Sequence, residues 1–315
     1  PIFSTAALSR MLGNWFQSHL GVVTGIVMAA SGVGGSALSL VLSGIMESAG
    51  WRASLLFAAG LLAAVAVMIF FVMKDRPEEL GLQPYHDPER RGAAHKPKKV
   101  AAPWAGVPMQ VLLKKPYFYL TMIGMMLATI ASNGVYSAVV PHLQDRGLSA
   151  AYAAKMLSLM LVLLAVDKIV LGMLADRFGA HFSTLLCVLF TFSGIVVLTL
   201  VKNEWQAVIA VVLLSVSVCL NGFIQPLLAA EIFGRSAYNT TLGIMMAMLS
   251  VGGLLSSPLV NFSFDATGSY TRILIVLAVI AAVDALFLLP AFHAEAKYRR
   301  ELEASGQLSD ARPET

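Results

Sequence analysis

Blocks of about 20 apolar residues, separated by short polar turns, dominate the pattern of this chain. A helix that rises about 1.5 Å per residue needs about 20 residues to cross the hydrocarbon core of a bilayer. The pattern predicts eight complete membrane-spanning helices, at residues 20–46, 51–73, 116–140, 152–174, 181–201, 206–230, 239–262 and 271–292. A shorter apolar segment at residues 1–16 precedes them, and we interpret it as the end of another span.

The apolar pattern repeats within the chain. Residues 25–65 return as residues 243–283 at a constant offset, so that Gly25 matches Gly243 and Gly34 matches Gly252. Two similar membrane halves in one polypeptide are typical of secondary transporters, which rock one half against the other. The second copy has more spans before it than the first. Symmetry therefore predicts twelve helices in the complete protein and a sequence that lacks three spans and part of a fourth.

A long polar segment divides the chain. Residues 74–115 contain six prolines and several charged residues, a composition typical of a linker. The predicted regions are the remainder of the N-terminal half (1–73, the end of the fourth helix and the fifth and sixth), the central loop (74–115), the C-terminal half (116–292, helices seven to twelve) and a charged tail (293–315).

Lysine and arginine are distributed unevenly between the two sides of the predicted bundle. The side with the central loop and the tail carries 15 of them, and the other side carries five. Cytoplasmic loops are enriched in these residues, so the loop and the C-terminus are predicted to be cytoplasmic, in a plasma membrane or a bacterial inner membrane. This bias also explains the net charge of +4, and no nucleic-acid partner is needed. Contact of the 96–99 region with anionic lipid is an alternative to simple solvation.

Composition also limits the possible chemistry. Only 13% of residues are charged, against about 25% in soluble domains, so a water-facing surface cannot be built around the whole chain. The sequence has no Walker loop, GxSxG, HExxH or Cys–His metal spacing. Cys187 and Cys219 both lie inside predicted spans, which favours packing. We predict a protein that is not an enzyme and has no cofactor or metal.

The most specific local motif lies between two predicted spans. Residues 172–179 read Gly-Met-Leu-Ala-Asp-Arg-Phe-Gly, and this octapeptide resembles the loop signature of the major facilitator superfamily. Glycine at 172 permits close helix contact, and charged residues at helix ends interact with the helix dipoles. The resemblance implies an inward gating loop that contains Gly172, Asp176, Arg177 and Gly179.

Other segments resemble one branch of that superfamily, the monocarboxylate transporters and the oxalate–formate antiporters. They are Asn14-Trp15-Phe16, Gly50-Trp51-Arg52, the Arg-Pro-Glu-Glu-Leu-Gly-Leu segment at 76–82 and the Asp-Ala-Thr-Gly-Ser-Tyr turn at 265–270. The resemblance implies an all-α membrane protein with the twelve-helix major facilitator fold. It also implies secondary transport of a small organic anion, by proton symport or anion exchange with alternating access.

Lys168 is the first candidate for substrate binding. It lies deep in the predicted span 152–174, where an ionisable residue is costly and suggests function. The two families carry an arginine four residues before the glycine of the loop motif, where it meets the substrate carboxylate, and Lys168 occupies that position. The alternative is a lysine that reaches the membrane interface or pairs with an acid.

Asp167 is the candidate for proton coupling, because a buried carboxylate can carry a proton. The monocarboxylate transporters use an aspartate one turn before their arginine, and Leu164 occupies that position here. An intramembrane ion pair is the alternative interpretation of Asp167. The antiporters also carry a lysine in their eleventh helix, whereas residues 239–262 contain no Lys or Arg. This difference favours a monoanion over oxalate.

Polar residues in otherwise apolar helices complete the predicted pocket. Asn133 and Tyr136 share one span, Asn221 and Gln225 lie one turn apart in another, and Arg10 lies in the first apolar segment. Each of them could instead make an interhelical hydrogen bond. Asp284 is predicted to pack against a neighbouring helix.

The sequence thus predicts a transporter of a monocarboxylate whose partners are the small organic anion, a proton or counter-anion, and membrane lipid. Two alternatives remain open. One is a proton-coupled exporter of drugs or other hydrophobic solutes, which would also suit a pocket with one cation. The other is a non-transporting receptor or scaffold on the same fold.

Overall fold

The computed structural model describes residues 11–16, 20–72, 74, 77–83, 85 and 106–304. The long helices in this part of the chain follow the apolar blocks of the sequence. The helices are α1 (Leu20–Val72), α2 (Met109–Leu112), α3 (Pro116–Asp145), α4 (Ala150–Phe178), α5 (Ala180–Thr199), α6 (Glu204–Val218), α7 (Ile224–Thr267) and α8 (Tyr270–Ala304). Residues 11–15 are also helical, and a short 3-10 helix spans Pro77–Leu80.

Six of the described helical stretches are long and apolar enough to cross a membrane. Two long helices each contain one glycine that interrupts the helical conformation, Gly50 in α1 and Gly234 in α7. Both have positive φ angles, which glycine adopts without the steric cost of a Cβ. At Gly50 the Ser54 hydroxyl donates to the Leu42 carbonyl across the interruption. The predicted boundary at 50–51 is therefore a real break in the helix.

The structure corrects the predicted span at 206–230. The sequence pattern suggests one continuous helix, but α6 ends at Val218 and α7 begins at Ile224. Residues 219–223 form turns, and Gly222 has φ of +88°. Pro226 lies in the first turn of α7, where its missing N–H is tolerated. Asn221 and Gln225 are therefore separated by a break and do not share one helix turn.

The last predicted span is also longer than expected. The pattern ends it at residue 292, whereas α8 continues to Ala304 and includes the first part of the predicted tail. This continuation of α8 packs against other parts of the bundle. Glu295 is buried, and the centres of the Tyr298 and Tyr117 rings lie 6.2 Å apart. The Lys115 ammonium lies 3.8 Å from the centre of the Tyr298 ring. These contacts bind the start of the tail to the beginning of α3.

The bundle is organised around α3, which packs against α7 and α8, while α1 packs against α4. Glycines permit the closest approaches, as is usual between helices in lipid. A Cβ added at Gly252 of α7 would stand 2.9 Å from the Met126 carbonyl oxygen of α3. A Cβ at Gly25 of α1 would stand 2.5 Å from the Lys168 carbonyl oxygen of α4. At these points backbone touches backbone.

Two hydrophobic clusters fill the two ends of the bundle. One contains Met125, Cys219 and Leu288, and the other contains Ile130, Leu214 and Leu277. Helices α3 to α8 contribute to both clusters, whereas α1 contributes Met28 to the first cluster only. Polar side chains lie near the boundary between the clusters: Thr129, Ser132, Asn133, Asp167, Lys168, Ser215, Ser217, Asn221 and Asp284. The break between α6 and α7 lies at this boundary.

Candidate functional site

Lys168 lies half-buried on α4, where α4 contacts α1. Its Nζ donates a hydrogen bond of 3.1 Å to the Met28 carbonyl oxygen of α1. The backbone carbonyl oxygen of Lys168 is the atom that would stand 2.5 Å from a Cβ added at Gly25. The lysine therefore joins two helices through a backbone carbonyl, an acceptor that carries no charge.

Asp167 points to a different neighbour, as its position on the helix predicts. Its carboxylate lies within reach of the Ser215 hydroxyl of α6, while its Oδ2 atom is buried without a hydrogen-bond partner. Among the described side chains, no ion pair joins Asp167 to Lys168. The helix that carries both groups, α4, packs against α6, which ends just before the break.

Asn221 connects the break to α3. Its Nδ2 donates to Ser132 Oγ at 3.0 Å and to Asn133 Oδ1 at 2.8 Å. The structure therefore brings together Asn133 and Asn221, two residues that the sequence assigns to separate spans. Ser132, which the sequence analysis did not select, belongs to the same network, and its position beside Asn133 is the signal that could have identified it. These side-chain bonds join the break to α3, while the backbone N–H groups of residues 219–222 bond nearby carbonyls and the Gln225 side chain.

Gln225 lies in the first turn of α7 and is fully buried. Its Oε1 accepts a 3.0 Å hydrogen bond from the Gly222 N–H. The side chain thus closes the turn from the far side of the break, while its Nε2 has no partner. The break is polar at both of its ends.

The other predicted pocket residues are less closely associated with the break. Tyr136 lies three residues beyond Asn133 on α3, and 36% of its surface is exposed. Arg10 lies outside the described residues. Asp284, by contrast, is buried as predicted, and a Cβ at Gly124 of α3 would stand 3.2 Å from its Oδ1 atom.

The loop motif lies at the end of α4, where it meets the start of α1. Asp176 Oδ2 accepts a 3.0 Å hydrogen bond from the Val22 N–H, in the first turn of α1. This N–H has no partner within its own helix, and a carboxylate is favoured at the positive end of a helix dipole. Gly172 is buried, and Arg177 lies over the ring of its neighbour Phe178 at 5.3 Å. The motif therefore connects α4 with α1.

Gly179 ends the motif and makes room for an acid that the sequence analysis did not select. It has φ of +91°, and an added Cβ would stand 2.8 Å from the Glu231 carboxylate. Glu231 accepts hydrogen bonds from the Ala180 N–H at the start of α5 and pairs with the His181 ring. On its other side His181 lies 3.6 Å from the Glu295 carboxylate of α8. The acids near the end of a predicted span and in the tail are the signal that could have identified this cluster.

The chain is similar in sequence to several known transporters. The chain is 26% identical to monocarboxylate transporter 12 of Rattus norvegicus over 288 residues, which cover 83% of this chain and 57% of that protein. It is 25% identical to monocarboxylate transporter 13 of the same species, with 89% of this chain and 62% of that protein covered. The chain thus spans less than two thirds of the length of these relatives. The transporter asaE of Aspergillus flavus is 23% identical over 88% of this chain and 59% of that protein.

A crystal structure of the fucose:proton symporter of E. coli aligns with a TM-score of 0.49 and 14% identity, over 91% of this chain and 87% of that structure. The family assignment rests on sequence. The family described as the Major Facilitator Superfamily matches residues 3–230, which include the motif at 172–179 and the break at 219–223. Since this match covers most of the chain, and six described helices are long and apolar enough to cross a membrane, the protein is a multi-pass membrane protein that belongs to the major facilitator superfamily.

Proposed function

We propose that the protein carries a small monocarboxylate across the plasma membrane by secondary active transport, with its central loop and C-terminus in the cytoplasm. The observation that carries the proposal is Lys168, a cation within the predicted span 152–174 whose ammonium bonds the neutral Met28 carbonyl. An intramembrane cation without an acidic partner is costly, and a substrate carboxylate would offer it a charge-assisted hydrogen bond. The names of relatives such as monocarboxylate transporter 12 support this substrate class.

In this proposal the residues near the break have separate tasks. Lys168 binds the carboxylate, while Asn133, Asn221 and Gln225 shape the pocket, with Tyr136 and Arg10 as further contacts. Asp167 is the candidate proton carrier, because its Oδ2 atom is buried without a partner and it lies close to the break. Proton symport would use this group directly, whereas anion exchange would leave its protonation unchanged through the cycle.

We assign the gating role to the loop residues Gly172, Asp176, Arg177 and Gly179. Asp176 supports this assignment because its carboxylate bonds the start of α1 across the contact between α1 and α4. Alternating access requires that such contacts form and break in each cycle. A residue with this task affects the rate of the cycle more than the affinity for the solute.

Replacement of Asp176 by alanine is therefore expected to reduce the maximal transport rate about fivefold, since loss of a helix-capping side chain costs about 1 kcal/mol. The Michaelis constant should change much less. Asp145→Ala is the matched control, because Asp145 is exposed at the end of α3 and should leave both constants unchanged. The measurement is initial uptake by proteoliposomes over a range of substrate concentrations. A change confined to the Michaelis constant would contradict the gating assignment.

The proposed function is tested directly by uptake of radiolabelled lactate and pyruvate into liposomes that contain the purified full-length protein. We expect saturable uptake that is stimulated by an inward proton gradient for symport, or by preloaded unlabelled anion for exchange. Liposomes without protein give the background. Export of hydrophobic dyes with no carboxylate uptake would support the drug-exporter alternative, and no transport of either would support a receptor or scaffold.

A further inference from the structure

Buried polar atoms without hydrogen-bond partners lie in and beside the break between α6 and α7. Ser217 Oγ, Asn221 Oδ1 and Gln225 Nε2 are all buried without a hydrogen-bond partner. They lie within nine residues of chain, near the boundary between the two hydrophobic clusters. A buried polar atom without a partner is destabilising. Three in one place indicate that another molecule binds there during the transport cycle.

Existing hydrogen bonds fix the orientation of both amides. Asn221 uses its Nδ2 atom on Ser132 and Asn133, so its Oδ1 is the free acceptor. Gln225 uses its Oε1 atom on the Gly222 N–H, so its Nε2 is the free donor. The break therefore offers one acceptor, Asn221 Oδ1 within it, and one donor, Gln225 Nε2 just after it.

We propose that this pair recognises a hydroxyl group of the substrate, and that the transporter selects hydroxy-carboxylates over the corresponding oxo-carboxylates. A hydroxyl accepts one hydrogen bond and donates another, and thus satisfies both Gln225 Nε2 and Asn221 Oδ1. An oxo group only accepts, so the Asn221 oxygen stays unsatisfied. A site built to bond a hydroxyl discriminates strongly against an analogue that lacks it.

The position of Lys168 fits this assignment. Lys168 lies on α4, which packs against α6, the helix that leads into the break. A carboxylate at Lys168 therefore brings the neighbouring carbon atoms of a small substrate towards residues 219–225. The inference rests on the proposed function, since it takes the carboxylate at Lys168 as its starting point.

Lactate and pyruvate are suitable probes because they share a three-carbon skeleton and one carboxylate and differ at the second carbon. We expect the full-length protein in proteoliposomes to transport lactate with a kcat/KM at least about tenfold above that for pyruvate. Gln225→Leu and Asn221→Leu should bring this ratio close to one. Gln144→Leu, an exposed glutamine at the end of α3, should preserve it.

The ratio separates recognition from folding, because a damaged fold lowers uptake of both acids together. A wild-type ratio near one, or a ratio that neither Gln225→Leu nor Asn221→Leu changes, would overturn the hydroxyl assignment while leaving monocarboxylate transport in place. Absence of uptake of both acids by the wild-type protein would instead refute the proposed function, and the hydroxyl assignment with it.

Discussion

Lys168→Ala should lower uptake of a monocarboxylate at least tenfold, because a hydrogen bond between a charged donor and a desolvated anion contributes about 1.5 to 3 kcal/mol. The protein should still insert into the membrane, since removal of an intramembrane charge makes insertion easier. The measurement is the initial rate of lactate uptake by proteoliposomes, normalised to the amount of reconstituted protein. Lys155→Ala is the matched control: Lys155 lies on the same helix but is exposed.

Two further variants separate substrate binding from the contact with α1. Lys168→Gln keeps a donor that can reach the Met28 carbonyl but has no charge, and it should lose transport like alanine. Lys168→Arg keeps the charge and should retain part of the activity, although the guanidinium presents its donors in a planar fork. Normal uptake by Lys168→Gln would show that the hydrogen bond to Met28 is the only task of this side chain.

Gly25→Ala should destabilise the protein by about 1 to 3 kcal/mol, the usual cost of overpacking. The added Cβ would stand 2.5 Å from the Lys168 carbonyl oxygen and 3.1 Å from the Ile169 Cα atom. Both are backbone atoms, so no side-chain rotation can relieve the contact, and α1 must move away from α4. The same movement would displace the Met28 carbonyl from Lys168. We expect a lower thermal unfolding temperature in detergent and slower transport.

Gly34→Ala provides a matched control on the same helix. Gly34 is exposed, and no described atom lies within 4 Å of a Cβ at this position. Since alanine is the better helix former by about 1 kcal/mol, this variant should be as stable as the wild type or more so. Equal unfolding temperatures for Gly25→Ala and Gly34→Ala would contradict the close packing of α1 on α4.

Much of the membrane architecture follows from the sequence. Spans such as 116–140 and 181–201 are confirmed as helices because an apolar block of this length must satisfy its own backbone groups in lipid. The motif at 172–179 indicated the superfamily, which the family match confirms. The assignments of Lys168, Asp167 and the other site residues remain proposals, because periodicity places a residue at a depth but does not identify its partner.

The break at 219–223 does not follow from the apolar pattern of the sequence. Asn221-Gly222 followed by Pro226 is a turn signal, but the surrounding residues are as apolar as those of an unbroken span. The apolar pattern therefore predicts one continuous span despite this turn signal. The tertiary structure shows how the break is accommodated. The backbone N–H groups of residues 219–221 bond carbonyls three residues earlier, and Gln225 Oε1 accepts from the Gly222 N–H, as a non-helical segment in lipid requires. The Asn221 side chain joins this segment to Ser132 and Asn133 of α3.

The internal repeat shows the same division. The sequence by itself predicts that the fold has two related parts, and it pairs Gly25 with Gly243 and Gly34 with Gly252 as equivalents. The tertiary structure distinguishes them: Gly25 and Gly252 meet backbone of a neighbouring helix, whereas Gly243 and Gly34 have no described neighbour within 4 Å of an added Cβ. The sequence shows which helix positions are glycine. Only the arrangement of the helices decides which of these glycines another helix packs against, because close approach needs a neighbouring helix at the same depth and on the same face.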